Sequence, residues 1–128
     1  MLFAAINLSI AQRSIPHLVG ILATLKAGAA YVPLDGGIVT DSSLAHVASD
    51  SGANIVAVGK EWAHRVDLLN GNLQTEGKHQ VHKIILEDIV SEAKEYLDES
   101  QIVEEISKDE FATAGKGTDG CYVIYTSG

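Results

Sequence analysis

The segment LKAGAAYVPLD, residues 25–35, joins the end of a helix to a strand and decides the fold class. Gly28 is placed to end the helix, because glycine readily adopts the left-handed conformation that follows a last helical turn. The apolar run from Ala30 to Leu34 predicts a strand, which Pro33 and the Asp35-Gly36-Gly37 turn close. The segment therefore predicts a helix-to-strand unit of an α/β protein.

The chain before this segment supplies a strand and most of the helix. Residues 2–8 (LFAAINL) form a short apolar run, which is typical of a strand covered on both faces. Ser14 can cap the helix that follows, and Pro16 suits its first turn. One apolar stripe of this helix consists of Leu18, Leu22, Leu25 and Ala29.

The alternation continues after the segment. Asp41 can cap a second helix that Gly52 ends, and residues 55–58 predict the next strand. One face of that helix carries Leu44, Val47, Ala48 and Ser51. A third helix is predicted to carry Trp62, Val66 and Leu69, and to stop before the turn signal Asn70-Gly71-Asn72.

Residues 81–86 predict another strand and residues 121–125 a last one, with a fourth helix between them that carries Ile89, Val90, Ala93 and Leu97. Strands that alternate with helices at this spacing imply parallel βαβ units with right-handed crossovers. We therefore expect an α/β fold, a parallel sheet flanked by helices. Residues 98–120 break the rhythm, because they are rich in charge, Gly, Ser and Thr, and we expect an acidic mobile loop there.

Charge and cysteine content narrow the classes of partner. The net charge of −8 argues against nucleic acid, since phosphate binding needs clustered Lys and Arg. The single cysteine, Cys121, excludes an internal disulfide and any multi-cysteine metal site, and it favours a reducing compartment. No apolar run approaches the roughly 20 residues that span a bilayer, and the opening lacks the basic start of a secretory signal. We expect a cytoplasmic protein without a membrane partner.

The last eight residues, CYVIYTSG, carry the most chemical information. A buried strand that opens into Thr126, Ser127 and Gly128 forms a loop whose hydroxyls and backbone N–H groups can surround phosphate oxygens. Glycine lets the backbone approach the anion without a Cβ in the way. Because a strand ending in small polar residues is more often an ordinary turn, this tripeptide alone leaves both interpretations open.

Two motifs together carry a family resemblance. LKAGAAYVPLD is similar to a motif of the adenylation domains of non-ribosomal peptide synthetases, and YTSG, residues 125–128, resembles the opening of their Ser/Thr/Gly-rich ATP loop. The flanking segments IPHLVGILATLKAG and LAHVASDSGANIVAV resemble the family's neighbouring helices and strand. The likeness covers residues 2–58 and 121–128 well. It implies that Gly28 lets helix and strand meet closely and that Pro33 fixes the exit from the sheet.

The resemblance implies a two-step reaction. A carboxylate substrate, an amino acid in this family, attacks the α-phosphate of ATP, and Mg²⁺ offsets the phosphate charge. The acyl group then passes to the thiol of a phosphopantetheine arm on a carrier domain, in the same or a partner chain. Thr126, Ser127 and Gly128 match the first part of the phosphate loop, which makes them the expected ATP-binding residues.

The chain also departs from the family pattern. The rest of the phosphate loop, the adenine and ribose sites and the catalytic Lys lie further on in the family, and GGIVTDSS, residues 36–43, replaces its usual prolines and arginine. We therefore assign no catalytic residue and no metal ligand. Residues 1–128 are expected to be a partial adenylation domain, truncated at both ends and inactive alone. Alternatives are an acyl-CoA synthetase-like ligase, a non-catalytic nucleotide-binding or interaction remnant, and a flavodoxin-like domain.

Several other side chains are expected to be structural. His79 and His82 fall where residues three apart point to opposite faces, so we expect surface histidines rather than metal ligands. Cys121 begins an apolar strand and is expected to be a small buried hydrophobe. Tyr31 and Tyr125, within apolar strands, are expected to pack rather than to bind a ligand.

Overall fold

Four parallel strands form one sheet with helices on both faces. The computed structural model describes residues 6–96 and 120–126. The elements in chain order are β1 (Ile6–Ile10), α1 (Ile15–Lys26), β2 (Ala30–Leu34), α2 (Asp41–Ser51), β3 (Ile55–Val58), a 3₁₀ turn (Lys60–Trp62), α3 (Ala63–Thr75), β4 (His82–Ile85) and α4 (Leu86–Tyr96). The strand order is β2-β1-β3-β4, and all three pairings are parallel. The expected α/β class with a parallel sheet is confirmed.

The start of α1 follows the predicted chemistry. The Ser14 hydroxyl accepts a hydrogen bond from the His17 backbone N–H at 3.2 Å, and Pro16 lies in the first turn. At the other end Gly28 has φ = +76°, the left-handed conformation expected of it. A Cβ built on Gly28 would meet nothing within 4 Å, however, so the expected close approach of helix and strand is wrong. Gly28 is favoured here by its backbone conformation and not by a lack of space.

Two boundaries differ from the sequence prediction. The cap of α2 is Thr40 and not Asp41, because the Thr40 hydroxyl accepts from the Ser43 N–H at 3.1 Å, while the aspartate occupies the first turn. Helix α3 continues through the predicted turn at residues 70–72. Asn70 stays helical because its amide group bonds both the N–H and the C=O of Val81, at 2.8 and 2.9 Å. The buried Leu73 gives the extra turn a packing partner in the core.

The strands shift slightly from their predicted bounds. β2 and β3 coincide with the prediction, whereas β1 extends to Ile10 and β4 ends at Ile85, since Leu86 already begins α4. Three predicted parts of the chain lie outside the described residues. They are residues 2–5 of the first predicted strand, Leu97 of the fourth predicted helix and residues 98–119 of the expected acidic loop.

The main core lies between the sheet and the pair α2 and α3. Its central side chains are essentially inaccessible to solvent: Leu8, Ile10, Val32, Leu44, Val56, Val58 and Val66. Of the four residues predicted to share one face of α2, Leu44, Val47 and Ala48 are buried, and Ser51 is half-buried. Burial of each such large aliphatic side chain contributes about 1.5–3 kcal/mol.

The opposite face of the sheet carries α1 and α4. These helices meet at Gly20, where an added Cβ would lie 2.6 Å from a methyl carbon of Leu86. The residues that α1 buries are Gly20 and Thr24. Within the predicted apolar stripe, Leu18 and Leu22 are 56% and 57% exposed, whereas Leu25 is half-buried and Ala29 is buried. At the level of the two exposed leucines, the small residues between them make the closer contact.

The segment after Gly120 joins the edge of the sheet beside β2 through one residue. Tyr122 forms a parallel bridge with Tyr31, whose N–H donates to the Cys121 carbonyl and whose C=O accepts from the Val123 N–H, both at 3.0 Å. The predicted strand over residues 121–125 is reduced to this bridge. Pro33 explains why: two residues beyond Tyr31, it faces the same neighbour and has no N–H to continue the ladder.

No helix within residues 6–96 is both long and apolar enough to cross a membrane.

Candidate functional site

An open groove of about 750 Å³ lies beyond the carboxyl end of β2. The terminal segment forms one wall, and the β2–α2 loop with the first turns of α2 forms the other. Its lining consists of Pro33, Leu34, Asp35, Ile38, Val39, Thr40, Ser42, Ser43, His46, Val47, Tyr125 and Thr126. In α/β sheets, ligands bind outside the carboxyl ends of the strands, so the groove occupies the expected position for a site.

One of the three predicted phosphate-loop residues lies in this groove. Thr126 is exposed and lines it. Ser127 and Gly128 lie outside the described residues, so their assignment remains a prediction. The structure thus brings Thr126, the first residue of the predicted phosphate loop, to the carboxyl edge of the sheet, beside α2.

Tyr125 holds the terminal segment against α2. Its hydroxyl donates to the Asp50 carboxylate at 2.7 Å, and its ring meets the His46 ring edge-on, with the centroids 6.5 Å apart. Burial, the hydrogen bond to Asp50 and the negative charge of that carboxylate raise the pKa of Tyr125 to about 12. The hydroxyl therefore stays protonated and donates at neutral pH.

The loop that forms the other wall has its own turn chemistry. The Asp35 carboxylate accepts from the Gly37 N–H at 2.8 Å, and the Asp35 C=O accepts from the N–H groups of Ile38 and Val39. Gly36 lies directly on Trp62: a Cβ at position 36 would stand 2.6 Å from the indole ring. Glycine is required here because the turn and the ring leave no room for a side chain.

Arg65 fixes this loop from α3, and the sequence analysis missed it. Its guanidinium donates to the carbonyls of Gly36 and Val39 at 2.8 and 2.6 Å. It also binds Asp41 through two nitrogens, at 2.6 and 3.1 Å. The Arg65 side chain is only 12% exposed, so these contacts are partly shielded from water. The available signal was a lone arginine in an acidic half of the chain, which indicates a structural ion pair without naming its partner.

Among the residues expected to be structural, His79, His82, Tyr31 and Tyr125 lie as expected, and Cys121 does not. His79 and His82 are exposed, as expected, and Tyr31 packs on the Tyr122 ring with the centroids 6.0 Å apart, as expected. Tyr125 also packs against the core, and it forms the additional bond to Asp50. The expectation that Cys121 is buried is wrong. The residue precedes the bridge at the edge of the sheet, where no further strand covers its side chain within the described part of the chain.

The groove offers hydroxyls and little charge. The Thr40 hydroxyl bonds the hydroxyls of Ser42 and Ser43 as part of the α2 cap, and the other wall carries the hydroxyls of Thr126 and of Tyr125, which bonds Asp50. Among the lining residues there is no Lys or Arg, and Asp35 is the one carboxylate. Hydroxyls suit phosphate oxygens, but charge neutralisation would need Mg²⁺ or groups beyond the described residues. Within the described residues, no three His, Cys, Asp or Glu side chains are placed to hold a metal.

Comparison with known proteins supports the resemblance seen in the sequence. The model of the family described as "AMP-binding enzyme" matches residues 8–128. The chain is 36% identical over 117 residues to adenylate-forming reductase 03009 of Coprinopsis cinerea, covering 91% of this chain and 10% of that protein. It is 35% identical over 118 residues to surfactin synthase subunit 2 of Bacillus subtilis, covering 91% of this chain and 3% of that protein.

The fold has solved counterparts. Fatty acyl CoA synthetase of Mycobacterium tuberculosis superposes with a TM-score of 0.63 at 19% identity, over 99% of this chain and 23% of that chain. The chain thus spans a tenth or less of the two curated relatives and about a quarter of this solved structure. The parallel sheet has the same fold as the matching part of that synthetase. Because the family match covers nearly the whole chain, this protein belongs to the AMP-binding enzyme family.

Proposed function

We propose that this chain is the part of an ATP-dependent amino-acid-activating enzyme that carries the opening of the phosphate loop. The observation that carries the proposal is the position of Thr126, exposed in a groove at the carboxyl edge of the sheet. The motif LKAGAAYVPLD and the 35% identity to a surfactin synthase subunit favour an amino acid as the carboxylate. Thr126, Ser127 and Gly128 are the proposed ATP-binding residues.

In the proposed reaction a carboxylate oxygen of the amino acid attacks the α-phosphorus of ATP. The bond from that phosphorus to the bridging oxygen breaks, and pyrophosphate leaves with the electron pair. Mg²⁺, when bound, neutralises phosphate charge in this step. In this proposal the Thr126 hydroxyl donates to a phosphate oxygen and so positions the nucleotide for the in-line attack. The aminoacyl group is then transferred to the thiol of a phosphopantetheine arm on a carrier domain, with AMP as the leaving group.

Specific observations support two alternatives, one with a different acid substrate and one with a different fate of the acyl-adenylate. The likeness to a fatty acyl CoA synthetase supports a ligase that activates a fatty or aryl acid. The fungal relative's name joins adenylate formation to reduction, which is a second fate for an acyl-adenylate. All three share the first half-reaction and differ in the acid or in the acceptor. We assign the reaction to the cytoplasm, where ATP and a reduced acceptor thiol are available.

The test is carboxylate-dependent exchange of pyrophosphate into ATP by the complete gene product, assayed across the amino acids and then across fatty and aryl acids. Exchange with one amino acid, followed by loading of that amino acid onto a phosphopantetheine carrier, is the expected result. Exchange only with fatty or aryl acids would replace the amino acid by the ligase alternative. Silence with every acid would leave a non-catalytic remnant.

A residue-level control belongs to the same assay. Thr126→Ala removes the hydroxyl and is expected to raise KM for ATP about ten-fold, whereas Thr126→Ser keeps the hydroxyl and should stay within about two-fold of wild type. If both variants match wild type, Thr126 does not contact the nucleotide. The 128-residue chain alone is expected to show no exchange.

A further inference from the structure

Asp50 occupies a position that helix chemistry does not favour. It lies in the last turn of α2, where the backbone carbonyls carry the negative end of the helix dipole, and that turn contains no basic residue. A carboxylate at this position is expected to destabilise the helix by a few tenths of a kcal/mol. The Asp50 carboxylate instead accepts a hydrogen bond from the Tyr125 hydroxyl, 75 residues further along the chain.

The terminal segment needs such a contact at this point. Its backbone is tied to the sheet at Tyr122, and Pro33 supplies no N–H for the next ladder bond. Beyond the Val123 N–H, the Tyr125 side chain ties the segment to α2 by its hydrogen bond to Asp50. The next residue is Thr126, which lines the groove. The tyrosine therefore sets where the exposed threonine lies.

The surroundings of Tyr125 favour one orientation. The ring packs against the main core and edge-on against His46, which lies one helical turn before Asp50. Because the ring is held at one side by apolar contacts and at its tip by the carboxylate, rotation about its Cα–Cβ bond would lose both. A raised Tyr125 pKa agrees with a hydroxyl that keeps its proton in this contact.

We propose that Tyr125 and Asp50 form a positioning pair that fixes the first residue of the phosphate loop against α2. The pair acts on the nucleotide through Thr126 and does not itself touch the reacting atoms. This role in positioning rests on the proposed function, whereas the tether itself can be tested without it.

The tether is tested on the 128-residue chain by amide hydrogen exchange at Val123, whose N–H bonds Tyr31. Tyr125→Phe and Asp50→Ala are each expected to speed exchange at Val123 about five- to ten-fold, the effect of losing one hydrogen bond of ordinary strength at an exposed position. Tyr122→Phe is the matched control, since it removes a hydroxyl from the same segment outside the Tyr125–Asp50 contact. The Val123 amide of the double variant should exchange no faster than that of either single variant, because both substitutions remove the same hydrogen bond.

Global stability separates a tether from a general packing defect. Asp50→Ala replaces an unfavourable charge in a helix end by the best helix former, so the urea midpoint of the whole chain should stay equal or rise. Faster exchange at Val123 together with an unchanged or higher midpoint supports the proposal. Unchanged exchange at Val123 in both variants overturns the tether, as does a parallel fall of midpoint and protection in Asp50→Ala.

The positioning role is tested on the complete gene product by pyrophosphate exchange. Tyr125→Phe is expected to raise KM for ATP about five-fold while KM for the carboxylate stays within two-fold. If exchange is active and KM for ATP does not move, the pair is structural only and the positioning role is overturned. If wild type shows no exchange with any acid, the proposed function fails, and hydrogen exchange still decides whether the tether exists.

Discussion

Replacing Arg65 should release the loop that forms one wall of the groove. The guanidinium donates two hydrogen bonds to the Gly36 and Val39 carbonyls and binds Asp41 with both a terminal and the Nε nitrogen. Charge-assisted bonds contribute about 1.5–3 kcal/mol each, and the low end applies here because the loop is at the surface. Asp41 is 70% exposed, so its ion pair adds less than about 1 kcal/mol. We expect Arg65→Ala to lower the free energy of unfolding by about 3–4 kcal/mol.

The assay is urea unfolding of the 128-residue chain followed by far-ultraviolet circular dichroism. Arg65→Lys keeps the positive charge but loses the planar guanidinium, so it should lower the free energy of unfolding by about half as much. This variant can still be measured if the alanine variant does not fold. Arg13→Ala, which removes an exposed arginine before α1, is the charge-matched control and should change stability by less than about 0.5 kcal/mol. If Arg65→Ala unfolds within 0.5 kcal/mol of this control, the loop does not depend on the guanidinium and the reasoning fails.

Three further outcomes follow from the same structure. Gly36→Ala should destabilise the protein by about 1–3 kcal/mol, because the added Cβ would meet the Trp62 indole ring at 2.6 Å. Gly71→Ala, at an open helical position, should stabilise it by about 0.5–1 kcal/mol. Equal effects of the two variants in urea unfolding would contradict this reasoning. In absorbance titration at 295 nm, Tyr125 should ionise near pH 12 and not near 10. Its folded pKa is raised, so its stabilising contribution is complete below pH 10 and is lost as pH rises to about 12. If Tyr125 ionises near pH 10, the contact with Asp50 is contradicted. Leu18→Glu with Leu22→Glu should reduce binding of a hydrophobic dye without lowering the unfolding midpoint, since both side chains are more than half exposed; a large drop in the midpoint would show that they are core residues.

Local backbone signals were the part of the fold that the sequence predicted best. The Ser14 cap and the left-handed residues Gly28 and Gly52 act within a few residues, so their chemistry is visible in the sequence. Signals that depend on distant partners were misread. The turn expected at residues 70–72 stayed helical because Asn70 bonds Val81, which no local pattern indicates.

The candidate site shows the same division. The motif predicted that Thr126 lies at the end of a strand beside the sheet, and its place in the groove agrees with that. The side chains that arrange the groove, Arg65 and Asp50, come from helices whose sequences give no sign of their partners. Pro33 was read as the exit of its own strand, whereas its effect falls on the neighbouring segment, which could be known only after the pairing was known.

The bridge between Tyr31 and Tyr122 joins residues about 90 positions apart in the chain, while β1 pairs with β2 across a single helix and its loops. The conformational entropy of closing so long a loop must be overcome before this one contact forms, so we expect it to form late in folding. The four-stranded core does not need it, and the groove is complete only after it forms. We therefore expect the groove to form in a separate kinetic step and to be lost under mild denaturant before the core opens.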